Sequence, residues 1–390
     1  MEGQEMDFEL TQEQIMFRDL AHKFAEQEML PYIKEYERGE KYFEEVVQKV
    51  KPTGLMGAPL PEKYGGLGID RVTLAIIFEE LCWASYSIAH NFLGGPVLPG
   101  TIILMAGNEE QRQRWLPPLC KGELFICGAA VEPNAGSDAT AIETTAVKKG
   151  NKWVINGTKL FITDGGKADI ALVLAQTDKS KGARGTGIFA VERSTPGFSS
   201  KDLVGKLSWR AGNLADLRFS DCEVTEENVI GQIGMGLRNM FYGIDVARLM
   251  VTMGSVGMSR SCLESVMKYS KERKQFGKSI GSFQLVQGVI ADMAAAIDAV
   301  RLQGYRLAWL MDKKAPHILE SSYAKYQAMK LVKLVTAEAL RLFGAYGIMD
   351  EYPIEHHHRD ALTTNMMGGT PEMHALTIGR QLLEIDAMGG

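Results

Sequence analysis

Apolar residues recur at helical spacing through the first 120 residues. Thr11–Gln14 fits a capping box at the start of a helix. The apolar positions that follow share one helix face: Met16, Phe17, Leu20 and Phe24. Pro31 is expected to end or bend this helix, because proline lacks an amide hydrogen. The pattern predicts an α-helical domain over residues 1–120.

The middle of the chain, residues 121–235, changes to short β patterns. The segment Lys152–Thr163 predicts two strands joined by a turn at Asn156-Gly157. Ala168–Leu174 and Gly185–Val191 are further short β runs. Together they predict a small antiparallel β domain.

Residues 236–390 return to helical spacing. One apolar seam steps by three and four residues: Phe283, Val286, Ile290, Met293, Ile297 and Val300. This seam is typical of the core of a helical bundle. The predicted fold class is therefore α+β, mostly α, in three domains.

Composition narrows the class of protein. With 390 residues, 45% of them hydrophobic, the chain can bury a large core. Its 43 basic and 48 acidic residues argue against a nucleic-acid partner. No apolar run approaches the roughly 20 residues of a membrane helix, and no secretory signal is visible. Five cysteines without a CxxC pair predict buried or idle thiols in a reducing cytoplasm.

Two motifs in the β region suggest contacts with a cofactor. Within Val131–Asp138, Ser137 and exposed backbone N–H groups suit a phosphate or a ring oxygen, although a surface turn is the alternative. In Phe161–Gly166, the hydroxyl of Thr163 suits a ring nitrogen, and Phe161 offers an aromatic flank. A lone threonine at the end of a strand is more often structural.

A third motif spans Glu272–Lys278 and is followed by Gln284. Arg273 carries the planar donor fork that suits a pyrophosphate, whereas a solvated charge at a helix end is the alternative. No GxGxxG follows a strand, which disfavours a nicotinamide enzyme.

These three motifs, in this order, resemble those of the acyl-CoA dehydrogenase family. Val131–Asp138 is similar to TEPGAGSD, Phe161–Gly166 to WITNGG, and Glu272–Gln284 to ERxxFGxxxxxxQ. The resemblance covers nearly the whole chain. It implies the acyl-CoA dehydrogenase fold with a C-terminal four-helix bundle, an FAD cofactor, a homotetramer, and an electron-transfer flavoprotein or similar acceptor.

The resemblance also implies where the FAD lies, between the β domain and the C-terminal helices. The expected contacts are Val131, Gly136, Ser137, Phe161, Ile162, Thr163, Gly369, Thr370 and Glu372, with Arg273 and Phe276 supplied by a neighbouring subunit and Gln284 nearby. Val131 stands where the family commonly has Thr, and Phe161 replaces Trp. Both changes are expected to tune the flavin without abolishing its binding.

Asp245-Val-Ala-Arg248 resembles the DxxR motif that contacts coenzyme A in the family. Asp245 and Arg248 are three residues apart and share a helix face. The resemblance assigns both to the CoA moiety together with Ser137. An intrahelical ion pair is the alternative.

The segment Asn365–Thr370 resembles the family loop that carries the catalytic glutamate, yet this position holds Gly368. The second location used in the family, between the Asp and Arg of DxxR, holds Ala247. Loss of a positioned base forfeits about 10²- to 10⁴-fold in rate. Ordinary 1,2-desaturation of a straight-chain acyl-CoA is therefore disfavoured.

The resemblance implies that residues around 85–100 partly wall the acyl pocket, and this segment contains His90 and Asn91. A subfamily acting on cyclohexenecarboxyl-CoA lacks the usual glutamate and takes a ring proton with an aspartate from this region. Here Asn91 stands where that acid is expected. One hypothesis is a variant that holds its substrate unreacted. The other assigns the base to His90, with its usual pKa near 6.5, or to another carboxylate; a hydrogen-bonded helix pair is the structural alternative.

The sequence thus favours an acyl-CoA dehydrogenase that converts cyclohex-1-ene-1-carboxyl-CoA to a conjugated diene by 1,4-elimination. A branched or aromatic acyl-CoA dehydrogenase with a relocated base is one alternative. A non-catalytic CoA- and flavin-binding subunit is another. His356–His358 does not predict a metal site, because three adjacent histidines cannot all face one ion.

Overall fold

The computed structural model describes residues 8–39 and 43–385. In the first of three domains, seven helices form the N-terminal part: α1 Gln12–Phe24, α2 Ile33–Arg38, α3 Phe43–Val50, α4 Arg71–Ala84, α5 Tyr86–Ala89, α6 Gly95–Ala106 and α7 Glu109–Cys120. The predicted capping box at Thr11 is present, with Thr11 accepting from Gln14 N. The α-helical pattern of α1 ends before Pro31, which lies in a 3₁₀ turn.

Two five-residue π turns interrupt this domain, at Ala25–Met29 and His90–Gly94. The second joins α5 to α6, so the chain from Tyr86 to Ala106 is continuously helical. This stretch is long and apolar enough to cross a membrane, but 78% of its apolar window is buried inside the protein. A mostly buried core helix passes the same test, so the stretch is weak evidence for a membrane span.

The second domain is an eight-stranded sheet. Its strands are β1 Ile126–Ala129, β2 Thr145–Lys149, β3 Lys152–Thr163, β4 Ile170–Gln176, β5 Thr186–Glu192, β6 Phe198–Asp202, β7 Leu214–Thr225 and β8 Val229–Ile230. Seven strands run in the order β6-β7-β3-β2-β4-β5-β8, and β1 pairs with β4.

The sheet is mixed rather than purely antiparallel as predicted. Both β1 and β2 pair in parallel with β4. Antiparallel neighbours can be joined by tight hairpins, whereas parallel neighbours need longer connections. Those longer connections are the chain between β1 and β2 and the whole of β3. The local pattern of apolar residues does not predict which strands pair in parallel.

The predicted turn at Asn156-Gly157 is wrong. Strand β3 runs straight through these two residues, and a register shift against β7 between Ile155 and Gly157 absorbs them. Gly157 adopts φ +154°, where a side chain would collide with Thr144. The hairpin turn lies instead just before β3, where Gly150 has φ +62°. Pairing on both sides of β3 outweighs the local turn preference.

The third domain is helical, with a small β hairpin. Its elements are α8 Gly236–Glu272, β9 Lys274–Gln275, β10 Lys278–Ser279, α9 Gln284–Asp312, α10 Ile318–Phe343, α11 Ile354–Thr363 and α12 Pro371–Leu383. Helix α8 packs against α9 and α10, and α12 packs against α10. The predicted seam lies on α9, where Met293, Ile297 and Val300 are buried in the bundle core.

The buried core confirms the thiol prediction. All five cysteines are free and buried: Cys82, Cys120, Cys127, Cys222 and Cys262. Burial raises the pKa of Cys127 to about 12, so this thiol stays protonated at neutral pH.

Candidate active site

The three domains meet around the loop 203–213, which connects β6 to β7. The backbone N–H of Trp209 donates to Asp360 Oδ1 on α11 at 2.8 Å. On the other side, Asn91 Nδ2 donates to the carbonyl of Ala211 at 3.3 Å. The loop therefore docks the β domain onto both helical domains.

The π turn His90–Gly94 forms one side of the candidate site. Asn91 is fully buried, and its Oδ1 has no hydrogen-bond partner within the described part of the chain. A π turn places one extra residue in a helical turn and is frequent at functional sites. Asn91 is thus a buried amide in the region expected to hold an acid.

His90 lies in an aromatic box. Its ring centroid is 4.8 Å from that of Trp209 and 6.0 Å from that of Tyr86. Burial lowers the pKa of His90 to about 4. The imidazole is therefore neutral at neutral pH and a weak proton acceptor, so the structure does not favour His90 as the base.

The loop between α11 and α12 lies beside the same region. Gly368 adopts φ +67°, and its carbonyl accepts from Arg248 Nε at 2.9 Å. A Cβ on Gly368 would lie 3.2 Å from Arg248 Cγ. The hydroxyl of Tyr86 donates to the sulfur of the preceding Met367 at 3.6 Å, which joins this loop to the π-turn region.

Two further basic side chains hold this loop through its carbonyls. The fully buried Lys325 donates to the carbonyl of Thr364, and His374 Nε2 lies 3.2 Å from the carbonyl of Gly368. Burial, followed by the charge of Arg248, lowers the pKa of Lys325 to about 7. The same two causes, with a further contribution from Lys325, lower the pKa of His374 to about 4. Position 368 therefore lies among the nitrogen hydrogen-bond donors of Arg248, Lys325 and His374.

Sequence reasoning did not identify Lys325 or Trp209 as site residues, and it included Tyr86 only as a member of the predicted pocket segment. Lys325 carries a visible signal, because it falls on the core-facing side of α10 with the buried Ala324 and Ala328. Trp209 is buried with φ +60°, and no pattern of apolar residues around it predicts this conformation.

Asp245 and Arg248 contact different partners. The carboxylate of Asp245 lies 2.5 Å from His317 Nε2 and accepts from Ser321 Oγ at 3.2 Å. That bond raises the pKa of His317. Arg248 turns instead to Gly368. These contacts do not favour an intrahelical ion pair, and the CoA assignment stays a prediction.

The first two motifs are brought together at the end of β3. Leu160 N donates to the carbonyl of Val131 at 2.9 Å, which places the 131–137 turn beside Phe161–Thr163. Phe161 exposes 60% of its surface and Val131 exposes 39%. Ile162 is buried and anchors the strand end in the core of the β domain.

This surface fits a flat ring carrying hydrogen-bonding atoms. Phe161 has φ +56°, an uncommon conformation for an aromatic residue, and it projects at the strand end beside the half-buried Thr163. In the adjoining turn, Ser137 is exposed and Gly136 has open space where a side chain would lie. An apolar face beside a hydroxyl and free backbone groups suits the isoalloxazine and phosphates of FAD.

On the C-terminal side, Thr370 caps α12 and accepts from Met373 N at 3.4 Å. Glu372 is exposed in the first turn of that helix, where negative charge is favourable. Gly369 has φ +109° and passes close to His374. The start of α12 therefore fixes the positions of Gly369 and Thr370.

Arg273, Phe276 and Gln284 are exposed on the C-terminal domain. The guanidinium of Arg273 lies 5.9 Å from the ring centroid of Tyr346, and Phe276 packs edge-on against Phe283. Phe276 nevertheless exposes 93% of its surface. Their contribution to a neighbouring subunit's cofactor stays a prediction.

Two of the three adjacent histidines turn to different partners. His356 Nε2 lies 3.2 Å from the carbonyl of Ala84, and His358 Nδ1 lies 3.0 Å from Thr336 Oγ1. Among residues 8–39 and 43–385, no group of three His, Cys, Asp or Glu side chains is placed to hold a metal ion.

Comparison with known proteins agrees with this architecture. Residues 11–123 match the acyl-CoA dehydrogenase N-terminal domain, 127–222 the middle domain, and 234–383 the C-terminal domain. The chain is 37% identical to a short-chain-specific acyl-CoA dehydrogenase of Clostridium acetobutylicum, covering 97% of this chain and 100% of that one. It is 36% identical to the CarC subunit of the caffeyl-CoA reductase–Etf complex of Acetobacterium woodii, covering 95% and 98%.

Solved structures give the same result. Butyryl-CoA dehydrogenase from Megasphaera elsdenii superposes with a TM-score of 0.93 at 35% identity, covering 97% of this chain and 100% of that one. A glutaryl-CoA dehydrogenase from Mycobacterium smegmatis in complex with FADH2 superposes with a TM-score of 0.92 at 27% identity, covering 97% of each chain.

The fold and the site define a flavin-dependent oxidoreductase acting on CH–CH groups. The chain belongs to the acyl-CoA dehydrogenase family, and its cofactor is FAD.

Proposed function

We propose that this enzyme oxidises a cyclic acyl-CoA of the cyclohex-1-ene-1-carboxyl-CoA type to a conjugated diene by 1,4-elimination. The observation that carries the proposal is the glycine at position 368. Its carbonyl accepts from Arg248, and neither Gly368 nor Ala247 provides a carboxylate. An enzyme of this family without a base at the alpha carbon needs a substrate whose proton leaves elsewhere.

A cyclohexene thioester meets this requirement. The proton leaves one ring carbon and the hydride leaves another, and the existing double bond shifts between them. The protein must therefore hold the thioester, place a proton acceptor beside the ring, and keep water away. The aromatic box of Tyr86, His90 and Trp209 supplies an apolar wall of the right kind for a six-membered ring.

The remaining roles are assigned by the motifs. The exposed strand end at Phe161–Thr163 and the turn at Gly136-Ser137 would hold FAD, with Gly369 and Thr370 on the far side. When bound, the flavin accepts the hydride at N5. Asp245 and Arg248 would contact the CoA portion together with Ser137. Arg273, Phe276, Gln284 and Glu372 would complete the cofactor site in a homotetramer.

Reduced flavin has to be reoxidised by a partner. The relative from Acetobacterium woodii is a subunit of a reductase–Etf complex. That relationship supports an electron-transfer flavoprotein as the partner here. A cytoplasmic location is part of the same proposal.

Anaerobic bleaching of the flavin tests the function. Cyclohex-1-ene-1-carboxyl-CoA is compared with cyclohexanecarboxyl-CoA, which has the same ring but requires a base at its alpha carbon. We expect the unsaturated ring to reduce the flavin and the saturated ring to leave it oxidised. Butyryl-CoA is the straight-chain control.

Bleaching by saturated or branched thioesters at equal rates would instead indicate a conventional dehydrogenase with a relocated base. Flavin that stays oxidised with every thioester, in protein that copurifies with a second, glutamate-bearing chain, would indicate a non-catalytic subunit. Either result would contradict the cyclic-substrate proposal.

A further inference from the structure

A buried carboxylic acid follows the flavin-facing strand end directly. Asp164 comes after Thr163, exposes only 5% of its surface, and lies where the three domains meet. Its Oδ1 has no hydrogen-bond partner among the described residues. Buried carboxyl groups are normally paired, so an unpaired one needs an explanation.

The local turn does not require a carboxyl group. Asp164 has φ +59°, its N–H donates to the Asn213 carbonyl at 3.1 Å, and its carbonyl accepts from Lys167 N and Ala168 N. These are all backbone contacts. Asparagine adopts left-handed φ as readily as aspartate, and asparagine stands here in the family motif WITNGG. The turn is therefore held by backbone hydrogen bonds and does not need the Asp164 carboxyl group.

The side chain of Asp164 is directed at the start of α6. A Cβ placed on Gly95 would lie 2.3 Å from Asp164 Oδ2, so only glycine permits this approach. Gly95 is four residues beyond Asn91 on the same helical stretch. Asn91 and Asp164 also hold the same loop, Asn91 through the carbonyl of Ala211 and Asp164 through that of Asn213.

We propose that Asp164 is the proton acceptor of the reaction, in place of the carboxylates absent at positions 368, 247 and 91. This inference rests on the proposed function. It explains why an amide suffices at Asn91, since the acid and the amide have exchanged positions. Two carboxylates in this interior would repel each other, whereas one carboxylate and one amide do not.

The proton balance is simple. A ring C–H bond breaks, its proton forms an O–H bond with the Asp164 carboxylate, and its electron pair enters the new ring double bond. The hydride goes to the flavin, which is reduced by two electrons. The proton returns to solvent after the product leaves.

The surroundings of Asp164 act on its pKa in two directions. Burial raises the pKa well above the ordinary range, and Lys206, in the domain-connecting loop, opposes this shift. The Cys127 thiol on β1 is a titratable neighbour and stays protonated. The carboxyl group accepts a proton only in its ionised form, which Lys206 favours and burial opposes; once ionised, a group with a raised pKa is a stronger base.

The test compares wild-type holoenzyme with Asp164→Asn in two assays. The first is anaerobic flavin bleaching by cyclohex-1-ene-1-carboxyl-CoA. The second follows deuterium entry into the ring in D₂O with the flavin reduced beforehand, so that no net oxidation can occur. We expect Asp164→Asn to slow both by at least about 100-fold. The melting temperature and substrate binding should stay unchanged, because asparagine fits the turn.

Two further variants keep the result interpretable. Asp202→Asn removes a carboxylate that binds Asn213 Nδ2 at the same loop, and it should leave both rates near wild type. The exchanged double variant Asn91→Asp/Asp164→Asn should recover part of the lost rate.

Failure of this inference is distinguishable from failure of the proposed function. Wild-type rates in Asp164→Asn, on a ring thioester that wild type does oxidise, would overturn the role of Asp164 alone. Wild-type enzyme that neither bleaches nor exchanges with this thioester contradicts both.

Discussion

At the scale of single residues, the loop that ends at Thr370 combines a glycine with an unusual number of donors. Arg248 and His374 contact the Gly368 carbonyl, and Lys325 holds that of Thr364. Arg248 feels the charge of Asp245, and burial lowers the pKa of His374 to about 4. No carboxylate projects from position 368 itself, so an acid engineered there would meet Arg248 directly.

Gly368→Glu should introduce straight-chain activity. A carboxylate beside Arg248 is held ionised, and position 368 is where the family loop carries its base. We expect butyryl-CoA to bleach the flavin at least about 10-fold faster than in wild type. The positive φ of Gly368 should cost about 1–2 kcal/mol of stability, measured by urea unfolding.

Gly368→Gln is the matched control, because it introduces the same bulk and strain without a base. Equal butyryl-CoA rates in the Glu and Gln variants would contradict the prediction.

His90 should make stability depend on pH. The folded state protonates this imidazole only near pH 4, whereas the unfolded chain does so near pH 6.5. Between these values the unfolded state binds more protons. Stability is therefore complete above about pH 6.5 and is lost as the pH falls through this window, by up to about 3 kcal/mol.

Urea unfolding of wild type and His90→Phe between pH 4.5 and 7.5 checks this expectation. The wild-type curve should fall more steeply on acidification, and the two curves should run parallel above pH 6.5. Parallel curves over the whole range would show that His90 does not contribute.

At the scale of elements, the contact between α6 and the end of β3 depends on Gly95. A methyl group there would meet the Asp164 carboxylate. Gly95→Ala should therefore lower the free energy of unfolding by about 1–3 kcal/mol through overpacking. Flavin bleaching should fall as well, because the carboxylate is displaced.

Gly288→Ala on α9 is the matched control, since a Cβ there has open space. It should stabilise the protein by about 0.5–1 kcal/mol, as alanine favours the helix. Thermal and urea unfolding of both variants would test the pair, and a neutral Gly95→Ala would contradict the reported contact.

The local pattern of apolar residues predicted several elements well, both amphipathic helices and strands that are buried along their length. The capping box at Thr11, the seam on α9 and the runs of β4 and β5 all lie where expected. The turn at Asn156-Gly157 failed because β3 is paired on both sides, and such pairing is a tertiary effect. The π turn at His90–Gly94 could not be predicted from the sequence either, because the spacing of apolar residues does not distinguish it from an α-helical turn.

At the scale of the whole molecule, large apolar side chains remain exposed on the C-terminal domain. Phe276 exposes 93% and Leu285 exposes 87% of its surface. Exposed apolar groups close together are typical of association surfaces. They support the proposed tetramer, in which neighbouring subunits share cofactor contacts.

Phe276→Ser should reduce both the assembly and the retained flavin. We expect a smaller oligomer by size exclusion with light scattering, and at least a twofold fall in the ratio of bound flavin to protein. Val204→Ser is the control, because Val204 is 90% exposed in the β domain but lies outside the motif. Equal masses and flavin ratios in both variants would count against the shared site.

The sequence motifs predicted that two of the candidate cofactor-binding segments lie together, but they did not predict the contacts between domains around them. Val131 and Phe161–Thr163 come together, as two adjacent motifs on one sheet should. The aromatic box and the basic groups around Gly368 depend on contacts between domains, which no local pattern encodes. Asp164 was visible as an Asp within a motif that elsewhere has Asn, but its burial was not.

The π turn at His90–Gly94 has a consequence for how this enzyme diversifies. A π turn closes through i→i+5 bonds, so it holds one residue more than an α turn between the same two ends. Under the proposed function, gain or loss of a single codon there would change which side chains line the acyl pocket, while α5 and α6 stay docked. Ring-shaped and straight-chain specificities would then be separated by a short mutational path that leaves the rest of the protein intact.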